Sequence, residues 1–186
     1  MEKEIILLKL GEIALKGLNR RSFEDVLMKN VRRRLRDAGD FAVSSRQSTI
    51  YVEPQSPDAD MDLAEERCAK VFGVVAYTRA GASEKDLGKI QEKAAEYLRD
   101  TLEDAHTFKV ECKRSDKKFP YKSPEISAEV GGYLLEQYPH LTVDVHHPDV
   151  TVRVEVRETE AYVHTDPKPG AGGIPVGTGG KGLVLI

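Results

Sequence analysis

The stretch "KRSDKKFPYK" (Lys113–Lys122) holds Lys113, Arg114, Lys117, Lys118 and Lys122 against one acid, Asp116, with Phe119 and Tyr121 set among the cations. Ammonium and guanidinium groups meet phosphates and aromatic faces accept unpaired bases, so this mixture suits single-stranded nucleic acid. Pro120, and Pro124 soon after it, force an irregular loop rather than a long helix. A solvated loop whose lysines serve solubility fits the same charges. A second concentration of cations runs through Lys16, Arg20, Arg21, Lys29, Arg32, Arg33, Arg34 and Arg36, opposed only by Glu24 and Asp25. Arginines near a helix C-terminus also complement its dipole without any ligand.

Other chemistry finds less support. Cys68 and Cys112 form no CxxC, and both read as inert core residues. "HHPD" (His146–Asp149) reads as a turn before a strand, because a metal site needs third and fourth ligands that its spacing does not provide. No Ser/His/Asp or Cys/His spacing stands out, and no catalytic residue and no metal ligand is assigned. The tail "GAGGIPVGTGGKGLVLI" imitates a phosphate loop twice. The GxxxxGK[ST] pattern fails at Pro175 and Gly182. Gly177, Gly179 and Gly182 satisfy GxGxxG but precede an apparent strand, whereas dinucleotide loops follow one and open a helix.

The whole chain sets the frame for these sites. Its 186 residues suit one large domain or two small ones, and 40% hydrophobic with 32% charged residues is ordinary for a soluble protein. No apolar run approaches the ~20 residues of a membrane span, and the N-terminus does not read as a secretory signal. Two thiols cannot build a disulfide framework, so a reducing cytoplasm is predicted. The net charge of −3 argues against indiscriminate nucleic-acid binding, and the two basic patches predict a localised anionic partner.

The elements that must hold these residues follow from periodicity. "KEIILLKL" (Lys3–Leu10) is a buried strand ended by Gly11. Phe23, Val26, Leu27, Val31 and Leu35 make a helical stripe with Lys29, Arg32, Arg33 and Arg36 opposite; Arg34 falls on the apolar side, as a snorkelling or last-turn residue would. "FAVSS" and "STIYVE" read as strands, "DADMDLAEERCAKVF" as a helix and "VVAYTR" as a strand, giving β-α-β-β-α-β. A helix over 83–102 with Ser83 as N-cap comes next, followed by the alternating strand "TFKVECKR". A further helix opens with Ser123 as N-cap and Pro124 at its first position, carrying Ile126, Val130, Tyr133 and Leu134 as its stripe. Gly131 and Gly132 cost that helix ~1 kcal/mol each relative to Ala, which predicts close approach of another backbone or a phosphate. "VTVRVEV" alternates strictly and "EAYVHT" makes its hairpin partner, before the Gly- and Pro-rich linker that begins at Asp166.

Read together, "LKLGEIALKGLNRRSFE", "FKVECKRSDKKFPYKSPEISAEVGGYLLE", "VDVHHPDVTVRVEVRE" and "GAGGIPVGTGGKGLVLI" resemble, in order and over essentially the whole chain, the N-terminal region of tRNA 4-thiouridine synthetases (tRNA sulfurtransferases). The resemblance implies an α+β architecture: a ferredoxin-like βαββαβ domain followed by an α/β THUMP domain. Residues 1–60 are assigned to the ferredoxin-like domain, with 61–79 completing its sheet. The THUMP block is assigned to 61–166, and 167–186 to a linker and the first strand of an ATP-pyrophosphatase domain that continues beyond Ile186.

It further implies the family reaction, in which ATP with Mg adenylates a uridine at tRNA position eight and a persulfide donor supplies sulfur. Those residues lie elsewhere, so this chain is expected to need no cofactor and to be catalytically silent; Leu185 and Ile186 would border the ATP site of the intact protein. A cysteine desulfurase and a homodimer partner are implied for that intact protein, and no membrane. Some relatives also serve thiamine synthesis. Here the resemblance implies capture of the tRNA acceptor arm and 3′ end. Lys113, Arg114, Lys117, Lys118 and Lys122 would meet phosphates, and Phe119 or Tyr121 would stack, with core packing the favoured role for Phe119. Lys16, Asn19, Arg20 and Arg21 would support the duplex. The rival expectation is a ferredoxin-like regulatory or assembly module that binds a small ligand or a protein.

Overall fold

The computed structural model describes residues 3–11 and 20–173, and it divides into two compact units. Lys16, Asn19, Leu185 and Ile186 lie outside the described residues, and Arg20 is described only as the first residue of its helix.

Among the described residues, one unit comprises 5–11, 20–79 and 167–173. It contains β1 (Glu4–Leu10), α1 (Arg20–Arg34), β2 (Phe41–Arg46), β3 (Thr49–Pro54), α2 (Met61–Ala69) and the first part of β4 (Val74–Ser83). The strand order β2-β3-β1-β4 is that of a ferredoxin-like βαββαβ sheet. The β1–β3 and β2–β3 pairs are antiparallel, with Ile6 opposite Val52 and Val43 opposite Val52. Ile5 to Leu8 are all buried, so the unbroken apolar run reflects a strand covered on both faces. Leu27, Val31 and Leu35 of the α1 stripe meet Ile6, Leu8, Ile50, Val52 and Cys68 in one core. Arg34 closes α1 and is exposed; Leu35 already lies in the following turn. Gln47 and Ser48 both take positive φ (47° and 66°) in the two-residue β2–β3 turn.

Packing places 61–79 with this unit, so the boundary falls at Arg79–Ala80 rather than at residue 60. Asp60 caps α2 by accepting from the Leu63 amide at 3.0 Å. The stretch read as linker begins with structure. Strand β9 (Lys168–Pro169) pairs antiparallel with β4, and the Gly170 amide donates to the Val75 carbonyl at 2.9 Å. A Cβ on Gly170 would lie 2.4 Å from the Val74 carbonyl oxygen, so glycine is required there by close backbone approach.

The other unit comprises 80–166 with Lys3 and Glu4. It holds the end of β4, α3 (Leu87–Tyr97), α4 (Arg99–Asp104), β5 (Thr107–Arg114), α5 (Ser123–Gln137), β6 (Thr142–Val143), β7 (Val150–Val156) and β8 (Ala161–His164). Its strand order is β4-β8-β7-β5-β6, with β5 parallel to both neighbours and β7–β8 an antiparallel hairpin. Phe108, Val152, Val154, Val156, Ala161 and Val163 face Ile90, Ala94, Leu102, Ile126, Val130 and Leu134 across a single core.

Two helix starts differ from the sequence reading. Asp86, not Ser83, caps α3 by accepting from the Lys89 amide at 3.0 Å, because β4 runs on through Ser83. The helix read over 83–102 breaks at Leu98 into α3 and α4. Lys122, not Ser123, is the N-cap of α5, and the Glu125 side chain reaches back to accept from the Lys122 amide at 3.4 Å. The Ser123 hydroxyl is instead hydrogen-bonded to Cys112.

Candidate nucleic-acid interface

The basic loop spans the gap between the last residue of β5 and the first turn of α5. An irregular segment carries no periodicity to decide which side chains face out, so its anchors decide instead. Ser115 donates from its amide to the Val156 carbonyl at 2.9 Å and from its hydroxyl to the same oxygen at 3.2 Å. Asp116 accepts the Lys118 amide at 3.0 Å and forms an ion pair with Lys85, whose ammonium also donates to the Glu158 carbonyl at 2.7 Å. The Lys85 hydrogen bond, followed by that of the Lys118 amide, holds the Asp116 carboxyl below its ordinary range. The loop's single acid is thereby turned to structural use.

Two further contacts fix the loop's apex. The Arg114 guanidinium donates through Nη1 to the Phe119 carbonyl at 3.0 Å, so this arginine braces the loop it was expected to arm. Phe119 is 6% exposed and belongs to the core with Ile126 and Phe108. Its ring is therefore withheld from any ligand, and stacking by Phe119 is excluded by burial. Tyr121 is 36% exposed, with its ring tilted 55° to that of Phe119 at a centroid distance of 5.8 Å. Lys113, Lys117, Lys118 and Lys122 are all exposed, and no carboxylate pairs with their ammonium groups among the described residues. Lys113 near the end of β5 and Lys117, Lys118 and Lys122 beyond it thus present four exposed ammonium groups, of which Lys118 also acts on the Asp116 carboxylate, beside one aromatic face on a scaffold fixed from inside. Lys85 is the residue that sequence reasoning missed: it lies 31 positions from Asp116, and only the fold unites them.

On the ferredoxin-like unit Arg21 is exposed, Lys29, Arg32 and Arg33 are exposed on α1, and Arg36 is exposed in the turn after it. Arg32 donates to the Val43 carbonyl at 3.0 Å and Arg33 to the Asn30 amide oxygen at 2.5 Å.

The remaining candidates have structural roles. Burial pushes the Cys68 thiol up to about 12 and the Cys112 thiol up to about 11, so neither supplies a thiolate near neutral pH. Asp144 accepts the His146 and His147 amides at 3.0 Å each, which makes "HHPD" the expected turn. Asp149 accepts the His106 and Thr107 amides, at 2.9 and 3.2 Å. No group of three or more metal-ligating side chains occurs among the described residues. The α5 glycines do not meet the close approach predicted for them. A Cβ on Gly131 would lie 3.8 Å from Val110, and one on Gly132 would meet nothing within 4 Å. They border an open groove of about 590 Å³ with Val110, Leu135, Val143 and Val145, and this groove is apolar rather than cationic. No described helix is long and apolar enough to cross a membrane.

Comparison with known proteins agrees with this architecture. The ThiI ferredoxin-like domain family matches residues 5–78 and the THUMP domain family matches residues 84–166. The protein named "Probable tRNA sulfurtransferase" from Alkaliphilus oremlandii is 43% identical over 187 residues, covering 99% of this chain and 47% of its own length. The chain therefore spans about half the length of such relatives. A solved protein from Pyrococcus horikoshii Ot3 superposes with a TM-score of 0.83 at 32% identity, over 96% of this chain and 58% of its own. A 4-thiouridine synthetase solved with RNA and bound ATP superposes with a TM-score of 0.82 at 29% identity, over 100% of this chain and 46% of its own. By these matches and their order, the chain consists of a ThiI ferredoxin-like domain followed by a THUMP domain, the arrangement it shares over its length with these relatives.

Proposed function

We propose that this chain captures the acceptor arm and unpaired 3′ end of a tRNA, so that the uridine at position eight can be converted to 4-thiouridine. The observation that carries the reading is the braced loop after β5. Its acid is bound to Lys85, its inner aromatic is in the core, and Lys113, Lys117, Lys118, Lys122 and Tyr121 face solvent. Four exposed ammonium groups suit a phosphate chain, and one exposed ring suits the face of an unpaired base. A relative of the same fold was solved with RNA, which supports the same class of partner here. The adenylation that uses ATP with Mg, the persulfide sulfur transfer, and contacts to a cysteine desulfurase and a second copy are assigned to other parts of the intact protein. The residues present here bind and orient the substrate.

The test compares a tRNA acceptor-stem RNA with and without its unpaired 3′ end, using the whole chain. Stacking on one exposed ring predicts roughly tenfold tighter binding of the RNA that keeps the overhang. Lys117→Glu with Lys118→Glu weakens both RNAs, and Tyr121→Ala removes the advantage of the overhang. Equal affinity for the two RNAs, or no loss on reversing both lysines, refutes the assignment and favours a module that binds a small ligand or a protein.

A further inference from the structure

The ferredoxin-like unit holds a concave pocket of about 280 Å³ that the loop does not share, lined by Asn30, Arg33, Arg34, Lys70, Val71 and Phe72. Three of these six residues are cations and none is an acid. Arg33 and Arg34 come from the last turn of α1, and Lys70 is the C-cap of α2. Asn30 is buried at 8% exposure, and its amide oxygen holds the Arg33 guanidinium at 2.5 Å. Val71 is buried, whereas Phe72, next in the chain, is 52% exposed.

Two helix C-termini meet at this pocket, and cations there complement both dipoles. That accounts for the charges but not for the phenylalanine. The backbone is anchored on either side of Phe72. The Val71 amide donates to the Cys68 carbonyl at 3.2 Å, and the Gly73 amide to the Gly172 carbonyl at 2.8 Å. Gly73 itself takes a φ of +104°. A half-exposed ring, its Cδ1 3.6 Å from where a Cβ on Gly173 would stand, lines a concavity with three cations and so supplies the parts of a nucleotide site: charge for a phosphate and an apolar face for a base. The volume lies just under the range for drug-sized ligands, which suits one nucleotide rather than a longer segment. Lys70 pairs with Glu66 at 3.3 Å across two exposed side chains, a contact that a phosphate readily displaces.

We propose that this pocket is a second RNA subsite that takes a single unpaired nucleotide, its phosphate held by Arg33, Arg34 and Lys70 and its base laid on Phe72. The proposal rests on the RNA-binding reading above and adds a contact point outside the THUMP domain. It also separates unpaired RNA from duplex, since a paired base has no free face for Phe72.

The experiment uses the whole chain with three probes: a short single-stranded oligoribonucleotide, a blunt RNA duplex and inorganic phosphate. The backbone amide of Gly73 and the side-chain amide of Asn30 are followed by heteronuclear NMR, and affinities by fluorescence anisotropy. The oligoribonucleotide shifts both amides. Phe72→Ala weakens it about tenfold while leaving phosphate binding unchanged. Arg34→Glu weakens both oligoribonucleotide and phosphate, and far-UV circular dichroism confirms that both variants fold. Unshifted amides, an oligoribonucleotide affinity indifferent to Phe72→Ala, or a duplex that binds the pocket equally well would each overturn the proposal. Binding of phosphate alone would reduce the pocket to a simple anion site and overturn it too. Lys117→Glu with Lys118→Glu separates the two readings. If only the pocket assignment is wrong, that pair weakens RNA binding while the pocket variants do not. If the loop assignment is wrong, the pair has no effect.

Discussion

Neutralising Lys117 and Lys118 to glutamine gives a quantitative test of how the loop binds, because its salt dependence counts the phosphates it meets. Lys113 near the end of β5 and Lys117, Lys118 and Lys122 in the segment after it are exposed and make no salt bridge to a carboxylate among the described residues, while Arg114 is tied to the Phe119 carbonyl. With single-stranded RNA, each neutralised phosphate adds about −0.7 to the slope of log K against log salt, so four contacts predict about −2.8 from the loop. A fourfold rise in salt then weakens the loop's contribution roughly 50-fold. The double variant keeps Lys113 and Lys122, which lowers the slope to about −1.4 and the same salt change to about sevenfold. The assay is fluorescence anisotropy of a labelled acceptor-stem RNA with its 3′ overhang, titrated across that salt range with parent and variant. Glutamine keeps length and polarity, and neither side chain supports the core, so thermal unfolding should match the parent. An unchanged slope would mean that the two lysines touch no phosphate. A parallel fall in stability would mean that they support the fold instead, and either outcome refutes the reasoning.

Phe119→Ala removes a ring buried at 6% exposure and should cost about 3–5 kcal/mol of stability, read as a lowered denaturant midpoint, while Tyr121→Ala leaves stability nearly unchanged. Lys85→Met should raise the Asp116 carboxyl toward its ordinary value in an NMR titration, since the Lys85 hydrogen bond is the largest cause of its depression. The sign follows: stability from the depressed carboxyl is present above its unfolded pKa and fades as pH falls through the depressed folded value, a fade that Lys85→Met reduces while the Lys118 amide keeps the remainder. For the thiols the folded values lie above the unfolded one, so their contribution holds at neutral pH and is lost as pH rises from about 9 toward about 12. Accordingly, a maleimide at pH 8 should label Cys68 only after denaturation; labelling of the native protein would contradict its burial.

Much of the frame was legible in the residues. The Ile5–Leu8 run, the α1 stripe and the alternation of β7 each specify an element and its buried face, because side-chain direction in a regular element follows its period. The same regularity located the basic loop by exclusion, between β5 and α5. Where periodicity ends, so did that legibility. Phe119 and Tyr121 stand two residues apart in one irregular segment, and nothing local sends the first inward and the second out. The Arg114 brace and the Lys85–Asp116 pair do so, and the latter joins residues far apart in the chain. Ser83 has the chemistry of a cap, yet Asp86 holds the position because β4 extends through Ser83 on pairing with β8. The stretch read as linker contributes β9, whose place depends on the edge of β4.

Sequence alone therefore determined the long periodic elements, which faces they bury and where the cations gather, since those properties repeat with the backbone's own geometry, whereas β9 and the break at Leu98 were not among them. Tertiary structure decided which charges remain free and which aromatic faces outward, because those depend on partners that only the folded chain brings within hydrogen-bonding or packing distance.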